Sequence, residues 1–362
     1  MKNTLKALLV ALTAFSFSVA NAGELTITGD AKASYTITSS DGASGVIEQG
    51  KGLGVSNEFT LSASGELDNG MSWNYATDID GATVQDDGKL TLTTDYGTFG
   101  VFISEGGLDV DNTASQSVVS RPSDTSYNEG MWDSFDLSAM NTIQYHMPAD
   151  LLPFGIVGKV AYAPSSSSSA SINSYKATGA TNLGSFTESS DSYDATNGFT
   201  QTAAMGKSAT HYQVKAAPVD GLEIGADYVD YDGVVGATAQ APESGSYYLT
   251  YAFGPATIGY SKSFTSFAIG TSGQDNTESV ENTKYSIAFN VNDNLSISYE
   301  NEKSSPQTTD NTTQYEMEST GIQAAYTMGG MTLGVAMNDH ENASYTTNKD
   351  VKDTVFTVEM AF

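Results

Sequence analysis

The 362-residue chain contains no cysteine, only three histidines and only 15 basic residues. Without cysteine, the chain has no disulfide framework, no cysteine nucleophile and no cysteine-ligated zinc or iron–sulfur site. The basic residues are outnumbered by 43 acidic ones, which gives a formal charge of −28. Because a phosphate backbone is bound through a basic face, nucleic acid is excluded as a partner.

Apolar residues are also scarce, at 39% of the chain against about 45–50% in soluble globular domains. No stretch after the N-terminal segment reaches the roughly 18 consecutive apolar residues that predict a membrane-spanning helix. Low apolar content with high net charge is typical of disorder. An aromatic content of 10% and a regular apolar pattern argue against that interpretation.

Residues 1–22 have the pattern of a secretory signal. Lys2 and Lys6 give a positive start, an apolar core follows, and Ala20 and Ala22 form a small-x-small cleavage site. A membrane anchor is the alternative, but the apolar core is shorter than the roughly 20 residues that span a bilayer. We expect residues 1–22 to be removed, and residues 23–362 to form one exported domain.

The side chains after Glu24 alternate with a period of two, which predicts strands. Leu25, Ile27 and Tyr35 share one face of the first strand, and Lys32 lies on the other. Short turns and long polar connections then alternate along the chain. Sixteen strands are predicted, at about 24–38, 54–66, 71–78, 89–94, 97–103, 139–148, 155–164, 210–217, 222–231, 245–253, 256–262, 282–291, 295–303, 313–328, 331–338 and 351–362.

One face of these strands suits hydrocarbon, and the other suits water. In a soluble β-sandwich the apolar face packs against a second sheet, whereas in a membrane barrel it faces lipid. The even strand number permits closure, which removes sheet edges, and short turns are segregated from long loops. Aromatic residues also cluster near strand ends: Trp73, Tyr75, Tyr145, Tyr162, Tyr228, Phe253 and Phe289. The sequence predicts an all-β fold, a closed 16-stranded antiparallel transmembrane β-barrel.

Three segments resemble the first strands of the Gram-negative general-diffusion porins: 23–29 (GELTITG), 65–70 (GELDNG) and 89–100 (KLTLTTDYGTFG). The resemblance implies a homotrimer in the outer membrane, in contact with its lipids and lipopolysaccharide. Each subunit would hold a water-filled pore for small hydrophilic solutes and ions. It also implies short periplasmic turns, long external loops, and a third loop, about 104–138, that folds inward as the constriction.

The last strand ends on Phe362, after Phe356, Val358 and Met360 alternate along one face. A terminal phenylalanine in this pattern resembles the outer-membrane assembly signal. The barrel assembly machinery is therefore an implied partner.

Charges at the narrowest point of a porin set which ions pass. The candidate constriction charges in the third loop are Glu105, Asp109, Asp111, Arg121, Asp124, Glu129, Asp133 and Asp136. The candidate charges on the lumen side of the wall are Lys32, Glu58, Lys159, Lys215 and Lys284. The family implies a basic cluster facing the loop, but strand 2 offers Glu58 and strand 4 offers threonines. This departure predicts cation selectivity; solvated loop charge is the alternative for any one carboxylate.

Arg121 has two interpretations: it ties the loop together through Asp124 or Glu129, using its planar fork, or it lines the pore as the lone basic counterpart.

The chain lacks nucleophile-elbow, P-loop and dinucleotide-binding patterns, so we predict that it is not an enzyme. His146 and His211 lie on strands that are not neighbours, which disfavours a metal site or a serine triad. Two alternatives remain besides a general porin. A substrate-specific channel would show a track of lumen aromatics, of which Tyr231 and Tyr248 are candidates, and an adhesive or structural barrel would have a plugged lumen.

No cofactor is predicted. Acidic pairs such as Asp78/Asp80, Asp86/Asp87 and Asp109/Asp111 could hold a structural calcium ion through their oxygen atoms, or bridge through it to lipopolysaccharide. Solvated loop charge is the simpler account of these pairs.

Overall fold

The computed structural model describes residues 25–41, 47–80, 83–104, 107–124, 131–132, 134, 136–138, 140–164, 193–194, 198–199, 208–231, 240, 242–267, 277–308 and 315–361. The predicted signal segment lies outside these residues. So do the candidate charges Glu105, Glu129 and Asp133, and the C-terminal Phe362.

Eighteen strands are described, in the order β1 (Leu25–Asp41), β2 (Ile47–Glu66), β3 (Ser72–Asp80), β4 (Thr83–Thr94), β5 (Gly97–Ile103), β6 (Thr142–His146), β7 (Val157–Ala163), β8 (Tyr193–Asp194), β9 (Gly198–Phe199), β10 (Ala209–Val219), β11 (Leu222–Tyr231), β12 (Glu243–Phe253), β13 (Ala256–Ser266), β14 (Thr277–Asn290), β15 (Leu295–Thr308), β16 (Met317–Met328), β17 (Met331–Glu341) and β18 (Asp350–Ala361). Single 3₁₀ turns lie at Asp111–Ala114, Pro122–Asp124, Pro153–Gly155 and Ala343–Tyr345. None of the helical segments in the described ranges is long and apolar enough to cross a membrane.

Sixteen of the strands form one closed antiparallel barrel, in which β7 pairs directly with β10 and β1 closes the ring by pairing with β18. The closing ladder runs from Asp30 opposite Ala361 to Asp41 opposite Asp350. Strands β8 and β9 pair only with each other. Every barrel strand thus has a neighbour on both sides, and the predicted fold class is confirmed.

The alternation of side chains separates an apolar outside from a polar inside. On β12, Tyr247, Leu249 and Tyr251 point outward and are 49%, 37% and 39% exposed, whereas Ser246 and Tyr248 point inward and are buried. The other strands repeat this pattern, so apolar side chains cover the outer surface. Such a continuous exposed apolar surface is typical of contact with lipid rather than with water.

The strands extend further than the sequence predicts at the ends joined by long connections. Most of the predicted loop 39–53 is strand, because β1 and β2 remain paired as far as Asp41 opposite Ile47. Likewise β13 and β14 extend to Ser266 opposite Ser279. These extensions are mostly polar, with isolated apolar residues such as Phe264 and Val280, and so show too little of the alternation on which the prediction depended. Backbone pairing continues there because it needs no apolar face.

The outward apolar surface predicts unequal tolerance of charge on adjacent residues of β12. Leu249→Arg would place a guanidinium in hydrocarbon, and we expect a loss of about 2–4 kcal/mol in the free energy of unfolding near the bilayer midplane. Thr250→Arg, which points inward, is the matched control and should lose far less. Urea unfolding in lipid vesicles measures both values. Equal losses would contradict the assignment of the outer face.

Candidate functional site

Residues 107–124, here called the inner loop, follow β5 and lie against the inner face of the wall. Backbone N–H groups along this loop donate to side chains of the wall. The bonds are Leu108 N to His211 Nδ1 (3.3 Å), Val110 N to Asp227 Oδ1 (3.2 Å), Gln116 N to Ser286 Oγ (3.1 Å), Val118 N to Ser298 Oγ (3.0 Å), Val119 N to Gln323 Oε1 (2.8 Å) and Ser123 N to Glu302 Oε1 (3.1 Å). The acceptors belong to β10, β11, β14, β15 and β16, so the loop follows half of the barrel circumference.

Two carboxylates of β15 hold the middle of the inner loop. The hydroxyls of Ser115 and Ser117 donate to Glu300 Oε2 at 2.5 and 2.6 Å, and the Ser123 hydroxyl donates to Glu302 Oε2 at 2.8 Å. Both glutamates are fully buried. Because a buried carboxylate is stable only when it is hydrogen-bonded, these serines and glutamates require each other.

Glu300 and Glu302 were not among the residues predicted to line the pore. The sequence alternation could have identified them, because Glu300 and Glu302 lie on the polar face of a strand whose apolar face carries Ile297 and Tyr299.

Glycines on the wall let the inner loop approach closely. A Cβ atom at Gly259 would collide with the carbonyl oxygen of Ala114, and one at Gly321 would lie 2.7 Å from Pro122 Cγ. The loop backbone therefore occupies the space that side chains would fill elsewhere on the wall.

A buried histidine–aspartate pair fixes the first residues of the inner loop. His211 Nε2 lies 3.0 Å from Asp227 Oδ2, and the Leu108 N–H donates to His211 Nδ1. Nδ1 is therefore an acceptor, which assigns the proton to Nε2 in a neutral ring. Gln213 Nε2 also donates to the Leu108 carbonyl at 2.7 Å. In this arrangement His211 positions the loop.

Four of the candidate pore charges are paired with each other. Lys284 Nζ lies 2.9 Å from Asp111 Oδ2, and both side chains are almost fully buried. Arg121 is 2.8 Å from Asp124 and also donates to Asn112 Oδ1, which Lys284 contacts at 3.0 Å. The Arg121 contacts therefore join two parts of the loop, and the Lys284 contacts attach the loop to β14. Of the four, Asp124 is the most exposed.

Asp109 and Asp136 lie together where the two ends of the third loop meet. Desolvation by burial, the nearby charges of Asp136 and Asp111, and a hydrogen bond shared with Asp136 raise the pKa of Asp109 to about 8. A Cβ atom at Gly107 would collide with Asp136 Oδ2, which shows how close the two ends are. A pKa of about 8 keeps the Asp109 carboxyl group protonated at neutral pH, so that it can donate the hydrogen bond to Asp136.

The remaining candidate lysines of the wall, Lys32, Lys159 and Lys215, occupy the inward phase of their strands. Lys32 is 3.9 Å from Glu359 on β18. Lys159 and Lys215 lie on β7 and β10, close to the inner loop. Glu58 is opposite Asp30 of β1 and Asp80 of β3 in the strand register.

In the proposed assembly segment, Phe356 and Met360 point outward and are 45% and 50% exposed. Val358 is half-buried and opposite Ala33 and Leu333 in the ladders of β18.

A serine, a histidine and an aspartate meet on β16–β18, which the sequence analysis did not foresee. Ser319 Oγ lies 2.8 Å from His340 Nδ1, and His340 Nε2 lies 3.1 Å from Asp353 Oδ2. All three side chains are buried, so the structure shows no access for a substrate at Ser319 Oγ. The network joins three neighbouring strands. No group of three or more metal-ligating side chains was found within the described ranges.

Comparison with solved structures identifies the architecture. The anion-selective porin from Comamonas acidovorans aligns with a TM-score of 0.60 and 10% identity over 94% of this chain and 100% of that chain. The outer-membrane channel DcaP of Acinetobacter baumannii aligns at 0.62 and 11% identity, over 96% and 99%. A porin of Rh. blastica aligns at 0.55 and 13% identity, over 94% and 100%.

The chain has the fold of the outer-membrane porins. No protein-family model matches it, and no curated protein sequence matches it. At identities of 10–13% these comparisons show the fold alone.

The shared proton of Asp109 predicts a pH dependence. Because its pKa in the folded chain lies above the ordinary value of 3.8, the stabilisation is full below about pH 4 and is lost as the pH rises through about 8. We expect the melting temperature in detergent to fall between about pH 4 and pH 8. Asp109→Asn should remove this fall, and Asp150→Asn, in an exposed turn, should keep it. A fall of equal size in Asp109→Asn would contradict the assignment.

The close approach at Gly259 predicts an effect on the pore itself. Gly259→Val would push Ala114 away from β13 and toward the barrel axis, so single-channel conductance should fall. Gly52→Val is the control, because a Cβ atom there meets no atom within 4 Å. Planar-bilayer recordings of both variants measure the effect. Unchanged conductance in Gly259→Val would show that the inner loop does not narrow the pore.

Proposed function

We propose that the chain is an outer-membrane porin of a Gram-negative bacterium, a water-filled channel for passive diffusion of small hydrophilic solutes and ions. The observation that carries this proposal is a closed barrel with an apolar outside and a polar inside, in which one loop is held against one half of the wall. The first 3₁₀ turn of that loop contacts β12–β14, and the second contacts β15–β17. A loop fixed to one side narrows a lumen without filling it.

The proposed ion preference is for cations. The Comamonas relative is an anion-selective porin, so the fold does not determine the sign, and the charges of this chain must. Lys284 and Arg121 are neutralised by aspartates, whereas the serine hydroxyls that donate to the Glu300 carboxylate carry no charge. The inner surface therefore keeps an excess of negative charge, which concentrates cations.

We also propose a homotrimer, for which the barrel geometry gives a reason. Strands β5, β6 and β7 have 7, 5 and 7 residues. At about 3.3 Å per residue, the shortest spans about 17 Å, less than the roughly 30 Å of a hydrocarbon core. Neighbouring barrels packed on this low side would shield it from lipid. The mass of the detergent-solubilised complex tests this; a monomer in mild detergent would contradict it.

Reversal potentials in a KCl gradient test the proposed selectivity. We expect a cation-selective potential for the natural chain and a smaller one for Glu300→Gln, which removes the charge of a wall carboxylate and keeps an amide oxygen as acceptor for the Ser115 and Ser117 hydroxyls. Asp150→Asn removes the same charge from an exposed turn and should leave the potential unchanged. A potential of the opposite sign would show that the channel prefers anions. The absence of any conductance would favour a plugged structural barrel instead.

A further inference from the structure

Two inward lysines of the barrel, Lys159 and Lys215, lie on adjacent strands and differ from the lysines that form ion pairs. Five lysines lie within 4 Å of a carboxylate: Lys32, Lys262, Lys284, Lys303 and Lys352. Lys159 and Lys215 have no carboxylate at ion-pair distance among the residues that the structure describes. In a chain with 43 acidic residues, two neighbouring lysines without an acidic partner are unexpected.

The strand register brings these two lysines together. Lys159 on β7 is opposite Gln213 on β10, and Lys215 is the next inward residue along β10. Such a diagonal pair has Cα atoms about 7–8 Å apart, within reach of long side chains. His146 is directly opposite Lys159 and shares its face.

The lysine pair lies beside the inner loop. Gln213, between the two lysines on the shared face, donates to the carbonyl of Leu108, where the loop meets the wall. Lys215 Nζ also lies 5.5 Å from the centre of the Tyr248 ring, whose hydroxyl donates to Glu223. This cation–π contact orients the Lys215 ammonium group and uses none of its N–H donors in a hydrogen bond to an oxygen. Both lysines are half-buried, so they are accessible to solutes.

We propose that Lys159 and Lys215 form a subsite for a small divalent oxyanion, a phosphate or a dicarboxylate, on its way through the pore. The inference rests on the proposed channel function. An ammonium group binds such oxygens as a point charge with three donors, and two of them match two negative charges. The surrounding negative lumen keeps the site weak, and a site in a conducting channel must release its solute.

The test is a titration of single-channel current with inorganic phosphate or malonate in a KCl solution. We expect a saturable decrease in current with the natural chain. In the double variant Lys159→Gln with Lys215→Gln, the half-saturating oxyanion concentration should rise by about tenfold or more, because binding is weaker. Lys262→Gln is the matched control, because this lysine pairs with Glu281 on the outer phase of β13, and its titration should equal that of the natural chain.

The two solutes distinguish the sources of the oxyanion. Saturation by phosphate alone supports a phosphoryl subsite, and saturation by malonate alone supports a carboxylate subsite. Identical titrations of the natural chain and the double variant would overturn the proposal. KCl current without added oxyanion reports the open channel separately, so a missing current would refute the channel function, and an intact current with no saturation would refute the subsite alone.

Discussion

Every backbone N–H and C=O group inside a bilayer must find a partner within the protein, and the rest of the structure depends on this constraint. The β1–β18 ladder satisfies it for the last strand edges by closing the ring. Closure fixes the alternation of side chains, and with it the apolar outside and the polar inside. The polar interior then provides the acceptors that the inner loop needs.

The inner loop meets the same constraint in another way. Several of its N–H groups donate instead to side chains of five wall strands, β10, β11, β14, β15 and β16. Glu300 and Glu302 remain buried because serine hydroxyls of the loop donate to them. Loop and wall thus stabilise each other, and the position of the loop follows from inward residues spread over about half of the barrel.

The sequence predicts the barrel well, because lipid imposes a period of two that local residues reveal. All sixteen predicted strands exist, and the errors fall on strand ends such as 39–41 and 47–53, where both faces are mostly polar. The contacts of the site were not predictable in the same way. Asp111 pairs with Lys284 across 173 positions, and Glu300 meets Ser115 across 185. Such pairs depend on how the loop crosses the interior, which no local pattern encodes.

The residues that the sequence analysis chose as pore charges therefore divide into two kinds. Asp111, Lys284 and Arg121 form ion pairs that hold the loop in place, and Asp109 and Asp136 join its two ends. Lys159 and Lys215 have no carboxylate at ion-pair distance among the described residues. His211 is a further residue that holds the loop. From the sequence, only metal binding and catalysis were considered as roles for it, but in the structure it accepts a hydrogen bond from the loop backbone. Residue type and position in the strand alternation predict which charged side chains face the interior. Which of them hold the loop in place depends on the residues that they contact, and those contacts are visible only in the structure.

The central claim is that the anchored inner loop sets the width of an open pore. The most direct measurement is the size cut-off of neutral polymers that enter the channel and reduce its single-channel current. We compare the natural chain with a variant carrying Glu300→Ala, Glu302→Ala and Gln323→Ala, which removes three wall acceptors. The account predicts that the variant admits larger polymers than the natural chain does. An identical cut-off in both proteins would contradict it.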